Sequence, residues 1–201
     1  MKITVIVEGR TEKVFLPFLR TFLSRYLNPM PAIAALRYDG RIPKCEKLRR
    51  VVHNLLEDGS DYVIALTDVY TGGGDFNDAA DAKEKMRAWV APGDRDRFFA
   101  HAAQFDFEAW LLPYWDSIQK LAGHNRSVPP GDPENVNHDK PPSHHIREIF
   151  RAGSCRDDYV KPRDAARILK DKDLSVAIRA CAELRAFVET FFKLCGRTFP
   201  L

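Results

Sequence analysis

The sequence has no apolar stretch that approaches the roughly 20 residues needed to cross a lipid bilayer. Its N-terminus enters a predicted strand by residue 3, so we expect no signal peptide. Cysteines are few: the chain holds four, and they form neither a CxxC pair nor the ligand spacing of a zinc site. Reduced thiols of this kind are typical of cytosolic proteins. These absences predict a cytoplasmic protein without a membrane partner.

Two nucleotide-binding motifs are also absent. No glycine-rich loop contains the Gly-Lys-Ser/Thr of a Walker motif, and no GxGxxG follows a predicted strand, so a nucleotide-binding module is poorly supported. Charge of one sign does not dominate either, because 31 basic and 28 acidic residues leave a formal net charge of only +3. That balance allows a nucleic-acid partner without arguing for one.

What the chain does contain is a strand that ends in acids. Residues 3–7 predict a buried strand, and Glu8, Gly9 and Glu12 follow at the start of a helical pattern. Gly9 removes the Cβ that would crowd the turn and permits unusual backbone angles. Two nearby carboxylates repel unless one is protonated or a cation lies between them, and Mg²⁺ prefers such oxygen ligands. A purely structural role stays open for Glu12, since an acid in the first turn complements the helix dipole.

Strands and helices alternate along the first half of the chain. Four strands are predicted, over residues 3–7, 33–38, 62–68 and 97–104. A helical pattern follows each, which predicts an α/β fold: a Rossmann-like, mainly parallel sheet of four to five strands with helices on both faces. The third strand also ends in an acid, Asp68. Because parallel strands end at one sheet edge, we expect Glu8 and Asp68 to meet there and form a site.

Five further charged residues each have two interpretations. Asp106 and Glu108 stand just beyond the fourth predicted strand, where they either complement a helix dipole or join the site. Lys44 and Lys47 lie on the polar side of the second predicted helix, which is either a solvated face or a phosphate-binding patch. Arg10, beside the two glutamates, either meets a phosphate or forms a salt bridge with them.

The remaining residues are predicted to form a loop and helices. Residues 123–142 are polar and rich in proline, and the histidines in and beside them match no common metal-ligand spacing. Helices are predicted from a Ser143 cap through Phe150, over residues 162–169, and as one long helix from Leu174 to Gly196. We therefore divide the chain into an α/β core, residues 1–122, and a loop with a C-terminal helical extension, residues 123–201, packed on it as one globular unit.

Several motifs together resemble a known fold family. Val7-Glu8-Gly9-Arg10-Thr11-Glu12 resembles the glutamate motif of Toprim domains, the metal-binding fold of topoisomerases, bacterial primases and OLD-type nucleases. A strand ending at Asp68 resembles the Toprim aspartate motif. The closer similarity is to an uncharacterised Toprim-like bacterial family, whose other motifs match four segments here. These are Asp68-Val69-Tyr70, Phe107-Glu108-Ala109-Trp110-Leu111, Lys140-Pro141-Pro142-Ser143 and Tyr159-Val160-Lys161.

The resemblance implies a Toprim sheet and a reaction at a phosphodiester bond that depends on Mg²⁺ or Mn²⁺. Carried over, Glu8 binds metal or acts in acid–base chemistry, Asp68 binds metal, and Glu12 joins the metal site as in OLD-like members. Toprim enzymes usually keep an Asp-x-Asp, and here Tyr70 replaces the second acid. Asp75, Asp106 or Glu108 is expected to replace that ligand, and we favour Glu108.

Two functions follow from the resemblance. The first is a metal-dependent nuclease acting on DNA or RNA, an activity suited to a defence system, in which Lys161 neutralises charge in the transition state. The second is a weak or inactive Toprim scaffold that acts as a binding or regulatory partner of an ABC-type ATPase. Tyr70 in place of an acid favours the second, as does the absence of an ATPase motif in this chain, given that OLD-like Toprim domains work with ATPases.

Overall fold

A parallel four-stranded sheet forms the centre of the protein. The computed structural model describes residues 1–38, 40–69, 74–136, 140–155 and 158–201. Its strands are β1 (Lys2–Val7), β2 (Ala32–Arg37), β3 (Tyr62–Asp68) and β4 (Phe98–Ala103). They lie in the order β2-β1-β3-β4, and every neighbouring pair is parallel. The predicted parallel α/β sheet is thus confirmed.

Eight α-helices connect and cover the strands in the described part of the chain. They are α1 (Arg10–Leu23), α2 (Cys45–Glu57), α3 (Ala79–Trp89), α4 (Trp115–Ala122), α5 (Pro142–Ala152), α6 (Lys161–Leu169), α7 (Ser175–Ala180) and α8 (Ala182–Leu194). Three short 3₁₀ helices cover Pro92–Arg97, Phe107–Tyr114 and Pro133–Asn135. Within the ranges described, no helix is both long enough and apolar enough to span a bilayer.

The two faces of the sheet pack against different helices. Side chains alternate along each strand, so Val5 and Val7 point to one face of β1 while Ile6 points to the other. The first face packs against α1 and the helices after β4, in a core that is continuous from the sheet into the C-terminal helices. The second face packs against α2 and α3. Because both faces of the central strands are covered, β1 and β3 are mostly apolar, whereas the edge strand β2 is partly exposed.

Two helix predictions need correction. The helical pattern at Phe107 forms a 3₁₀ helix, and the α-helical turns begin only at Trp115, after Pro113, which has no N–H to donate. Ser143 does not cap its helix, because α5 already begins at Pro142. The Ser143 N–H instead donates to the Asp106 carboxylate.

The predicted C-terminal helix is also interrupted. Cys181 has an extended backbone and separates α7 from α8. At that point the Glu183 N–H donates to both carboxylate oxygens of Glu134, at 3.1 and 3.0 Å, and Trp110 Nε1 donates to the same carboxylate at 3.0 Å. A buried acid from the distant 3₁₀ helix Pro133–Asn135 therefore caps α8, which the helical pattern does not reveal.

Some predictions fall on segments outside the described residues. These are the Tyr70 substitution with most of its glycine-rich loop, residues 137–139 with His138, and Asp157.

Candidate functional site

The acids that end β1 and β3 lie at the topological switch point of the sheet. After β1 the chain turns to one side to form β2, and it then forms β3 and β4 on the other side. In open α/β sheets, the crevice between such strands is where ligands bind. The register pairs Val7 with Leu66, so Glu8 leaves β1 beside Thr67, and Asp68 follows immediately.

Glu8 is oriented by the neighbouring strand. Thr67 Oγ1 donates a short hydrogen bond to Glu8 Oε1, and both side chains are buried. The C-terminal end of β3 therefore supplies two groups to the site: the Thr67 hydroxyl, which positions Glu8, and the carboxylate of Asp68.

Glu12 stabilises the start of α1 and also lies among the acids of the cleft. Its Oε2 accepts a hydrogen bond of 3.0 Å from the Gly9 N–H, which satisfies a donor at the start of α1. The carboxylate is nevertheless buried in the same cleft as Glu8. Gly9 has an extended backbone with a φ of −135°, so the prediction that it adopts an unusual backbone angle is wrong. Space explains the glycine instead, because a Cβ at this position would lie 3.1 Å from Glu12 Oε2.

Two further acids approach from the segment after β4. Glu108 is fully buried: Tyr159 OH donates to its Oε1 at 3.2 Å, and Lys161 Nζ lies 2.9 Å from its Oε2. Asp106 Oδ2 accepts the Ser143 N–H at 3.2 Å. Its other oxygen, Oδ1, is buried and has no hydrogen-bond partner among the described residues. Such an orphaned oxygen is costly unless it is protonated or meets a cation.

These side chains surround an open cleft of about 350 Å³. It is lined by Glu8, Gly9, Arg10, Thr11, Glu12, Gly40, Asp68, Phe107, Glu108, Lys161 and Pro162. Every acid predicted for the metal site therefore lies in one cleft, together with the predicted lysine. Asp106 lies behind the cleft, close enough to act electrostatically on Asp68 and Lys161.

The acids raise one another's affinity for protons. Burial raises the pKa of Asp68 well above its ordinary value, and the charges of Glu12 and Glu8 add to the effect. Burial likewise raises the pKa of Glu12, and burial with the Glu108 charge raises that of Asp106 to about 7. Excess negative charge in a buried site has this effect unless a cation compensates it.

Lys161 is a half-buried cation of the cleft, and Arg10, at the mouth, is an exposed one. Burial alone would lower the pKa of Lys161, but the charges of Glu108 and Asp106 outweigh it, so the pKa is raised and the ammonium group stays protonated. Among the described residues, Lys161 and Arg10 line the cleft with four acids, Glu8, Glu12, Asp68 and Glu108, and Asp106 acts on them from nearby. Acids therefore outnumber cations in the described part of the site.

The donor set fits a hard divalent cation in its chemistry. Carboxylate oxygens are the ligands that Mg²⁺ and Mn²⁺ choose, and the site has excess negative charge and one orphaned oxygen. The side chains do not form a closed coordination shell: in the part of the chain described, no three His, Cys, Asp or Glu side chains are grouped closely enough to hold an ion. Thr67, the Gly9 N–H and Lys161 each make a hydrogen bond or ion pair with one of the acids, so those carboxylates would have to reorient to share an ion.

The predicted nucleic-acid contacts are dispersed around the site. Arg10 is exposed at the mouth of the cleft. Lys47 is exposed, with its Nζ 5.9 Å from the centre of the Tyr38 ring. Lys44 forms an ion pair with Asp75, so Asp75 does not stand among the acids of the cleft.

Sequence reasoning missed the roles of two residues at the site. Thr67 is a hydroxyl residue near the end of an apolar strand, directly before Asp68. This position could have indicated that its hydroxyl contacts the neighbouring acid. Tyr159 falls in a motif quoted above, but only the fold brings its hydroxyl to Glu108 from 51 residues away.

The sheet and its cleft define a class of protein: a parallel α/β domain with a buried acid cluster at the switch point of its sheet. A family model described as a domain of unknown function (DUF4276) matches residues 7–191, and the chain belongs to this family. No curated protein matches the sequence.

Solved structures share the fold. The C-terminal region of the Burkholderia pseudomallei OLD protein is 12% identical, with a TM-score of 0.57 over 96% of this chain and 98% of that one. The C-terminal region of the Xanthomonas campestris pv. campestris OLD protein is 15% identical, with a TM-score of 0.51 over 96% of both chains. At these identities the likeness concerns the fold alone.

Proposed function

We propose that this protein is a Toprim-like nuclease that hydrolyses phosphodiester bonds of DNA or RNA with Mg²⁺ or Mn²⁺. The observation that carries the proposal is the convergence of Glu8, Glu12, Asp68 and Glu108 with Lys161 in one cleft at the switch point. The resemblance to the Toprim glutamate and aspartate motifs, and the fold shared with OLD C-terminal regions, support it.

Glu8, Asp68 and Glu12 would hold the metal, which when bound polarises a phosphate and lowers the pKa of a water molecule. Thr67 keeps the Glu8 carboxylate directed into the cleft. Glu108 is our fourth predicted ligand, although Lys161 and Tyr159 engage its two oxygens here. Asp106, with its orphaned oxygen, is the alternative that could supply the ligand lost at Tyr70.

Lys161 would act on the substrate. Its ammonium group is anchored by Glu108, and its side chain is one-third exposed and lines the cleft, where a phosphate oxygen would meet it. A fixed positive charge beside the phosphate stabilises the negative charge that develops during bond cleavage. Arg10, at the mouth of the cleft, would hold the strand on the outside.

The direct test is cleavage of labelled DNA and RNA by the purified chain with Mg²⁺, with Mn²⁺ and with EDTA. We expect cleavage that depends on the metal and falls by roughly a hundredfold or more in Glu8→Gln, because a metal ligand is lost. Glu46→Gln is the matched control, since Glu46 is an exposed glutamate near the start of α2. Cleavage that survives EDTA, or equal cleavage by Glu8→Gln and the parent, would refute the assignment.

The second candidate is a scaffold that binds without cutting, as a partner of an ATPase. The lack of a closed three-ligand group among the described residues favours it. If the parent binds nucleic acid but neither Mg²⁺ nor Mn²⁺ supports cleavage, and adding an ABC-type ATPase forms a complex, the scaffold function is the correct one.

A further inference from the structure

A second, smaller cavity adjoins the acid cleft on its other side. Glu8 and Asp68 line both cavities, so the two share a wall. Beyond these acids and Thr67, the second cavity is lined by Arg41, Ile42, Lys44, Asp75 and Phe76. The acid cluster therefore lies between two cationic regions, with Lys161 on one side and Arg41 with Lys44 on the other.

Arg41 and Lys44 meet on a single carboxylate. Arg41 Nη1 makes a short contact with Asp75 Oδ2, and Lys44 Nζ makes a short contact with Asp75 Oδ1. One guanidinium and one ammonium group thus each hold one oxygen of the same anion. Arginine and lysine bind two oxygens of a phosphate in the same way.

The backbone beside Asp75 is held independently of that carboxylate. Lys85 Nζ donates to the Asp75 carbonyl oxygen at 3.0 Å and to Asp81 Oδ2 at 2.8 Å. The Asn77 N–H donates to Asp81 at 2.8 Å, and Asp78 caps α3. The Asp75 side chain can therefore leave its partners without unfolding the segment. All three charged side chains are partly exposed, at 46%, 38% and 26% for Arg41, Lys44 and Asp75, and exposed ion pairs of this kind contribute little to stability.

We infer that Arg41 and Lys44 form a subsite for a backbone phosphate of the nucleic acid, next to the phosphate that is cleaved, and that Asp75 occupies this subsite until the substrate displaces it. The inference rests on the proposed function for the identity of the ligand. A strand lying over the acid cluster needs positive charge on both sides to offset repulsion, and the Arg41–Lys44 pair supplies it on the side away from Lys161. Asp75 then acts as an internal competitor that weakens binding of any polyanion.

The test is binding rather than cleavage, so that it does not depend on metal. Fluorescein-labelled 30-base-pair DNA and RNA duplexes are titrated with protein in EDTA at several salt concentrations, and anisotropy is measured. We expect Asp75→Asn to bind about two- to fivefold more tightly than the parent, which is the range of an exposed ion pair. Adding Arg41→Ala or Lys44→Ala to Asp75→Asn should abolish the gain and reduce the slope of log K against log salt by about one.

Glu189→Gln is the matched control. Glu189 on α8 forms an exposed ion pair with Arg185 and lines neither cavity, so this variant loses the same charge elsewhere. If Glu189→Gln gains as much affinity as Asp75→Asn, net charge explains the effect and the subsite is refuted. An unchanged Asp75→Asn, or no binding by either protein, also overturns it.

The two proposals fail separately. A gain in Asp75→Asn without any metal-dependent cleavage upholds the subsite and refutes the nuclease. Metal-dependent cleavage with no gain in the binding affinity of Asp75→Asn upholds the nuclease and refutes the subsite.

Discussion

Two lysine–carboxylate pairs flank the acid cluster, and they differ in burial. Lys161 pairs with Glu108, whose side chain is fully buried, and Tyr159 donates to the same carboxylate. Lys44 pairs with Asp75, and both side chains are partly exposed. The two lysine side chains are similarly exposed, at 34% and 38%, so the pairs differ in their carboxylates: Glu108 is fully buried and Asp75 is 26% exposed.

This difference separates a fixed group from an exchangeable one. If Lys161 moved away, the negative charge of the fully buried Glu108 would be left without a counter-charge, so Lys161 is held in place. An exposed carboxylate regains water when its partner leaves, so Asp75 can be displaced at small cost. The acid cluster therefore has a rigid side, at Lys161 and Glu108 in the cleft, and an adjustable side, at Lys44 and Asp75 in the second cavity.

The largest expected effect tests the rigid side through pH. Asp106 has a pKa of about 7 in the folded protein against an ordinary value of 3.8, so its protonated form stabilises the fold. That contribution is complete below pH 3.8 and is lost as pH rises through 7, and its upper bound is about 4 kcal/mol. In EDTA we expect urea unfolding to show falling stability from pH 5 to pH 8.

Asp106→Asn, which does not titrate, should lose markedly less over the same range. Asp75 provides the contrast, because its contacts with Lys44 and Arg41 lower its pKa. Its contribution is present above the ordinary pKa and is lost only as pH falls below it, so Asp75→Asn should leave the slope between pH 5 and pH 8 unchanged. If stability falls equally with pH in the parent and in Asp106→Asn, folding does not raise the pKa of Asp106.

The next effect compares the two lysines directly. Lys161→Ala leaves the fully buried Glu108 without its counter-charge, which should cost about 2–3 kcal/mol of unfolding free energy, allowing for the partial exposure of Lys161. Lys44→Ala should cost less than about 1 kcal/mol, because both partners are partly solvated. Urea unfolding at pH 7 measures both. If the two variants lose equal stability, burial does not distinguish the pairs.

A smaller effect is expected from the tyrosine that completes the rigid side. Tyr159→Phe removes one hydrogen bond to the buried Glu108 carboxylate and should cost about 1–2 kcal/mol. Tyr26→Phe is the control, since the Tyr26 side chain is exposed at the end of α1. A loss in Tyr159→Phe no greater than in the control would mean that Lys161 alone satisfies Glu108.

The sheet and the meeting of Glu8 with Asp68 could be predicted because both depend on local patterns. An apolar run that stops at an acid defines the end of a strand, and alternation of strands with helices makes the strands parallel. Acids at the carboxyl ends of neighbouring parallel strands, such as Glu8 and Asp68, then lie at the same edge of the sheet, and this does not depend on how the helices pack.

The partners of those acids could not be predicted, because they depend on distant contacts. The residues near Glu108 in the sequence do not indicate that Tyr159 and Lys161 will contact its carboxylate. Likewise, the residues near Asp106 do not indicate that the Ser143 N–H will donate to only one of its two oxygens. The break at Cys181 is of the same kind, since the Glu183 N–H that it leaves at the start of α8 donates to Glu134, 49 residues away. Local apolar periodicity is blind to such contacts between segments.

A cation must bind at the acid cluster if the protein is a metal-dependent nuclease, and calorimetric titration of the metal-free protein with Mn²⁺ tests this most directly. We predict saturable Mn²⁺ binding by the parent, with proton release near pH 6 from the carboxyl groups of raised pKa, and loss of that binding in Asp68→Asn. Undiminished binding by Asp68→Asn, or no binding by the parent, would contradict it.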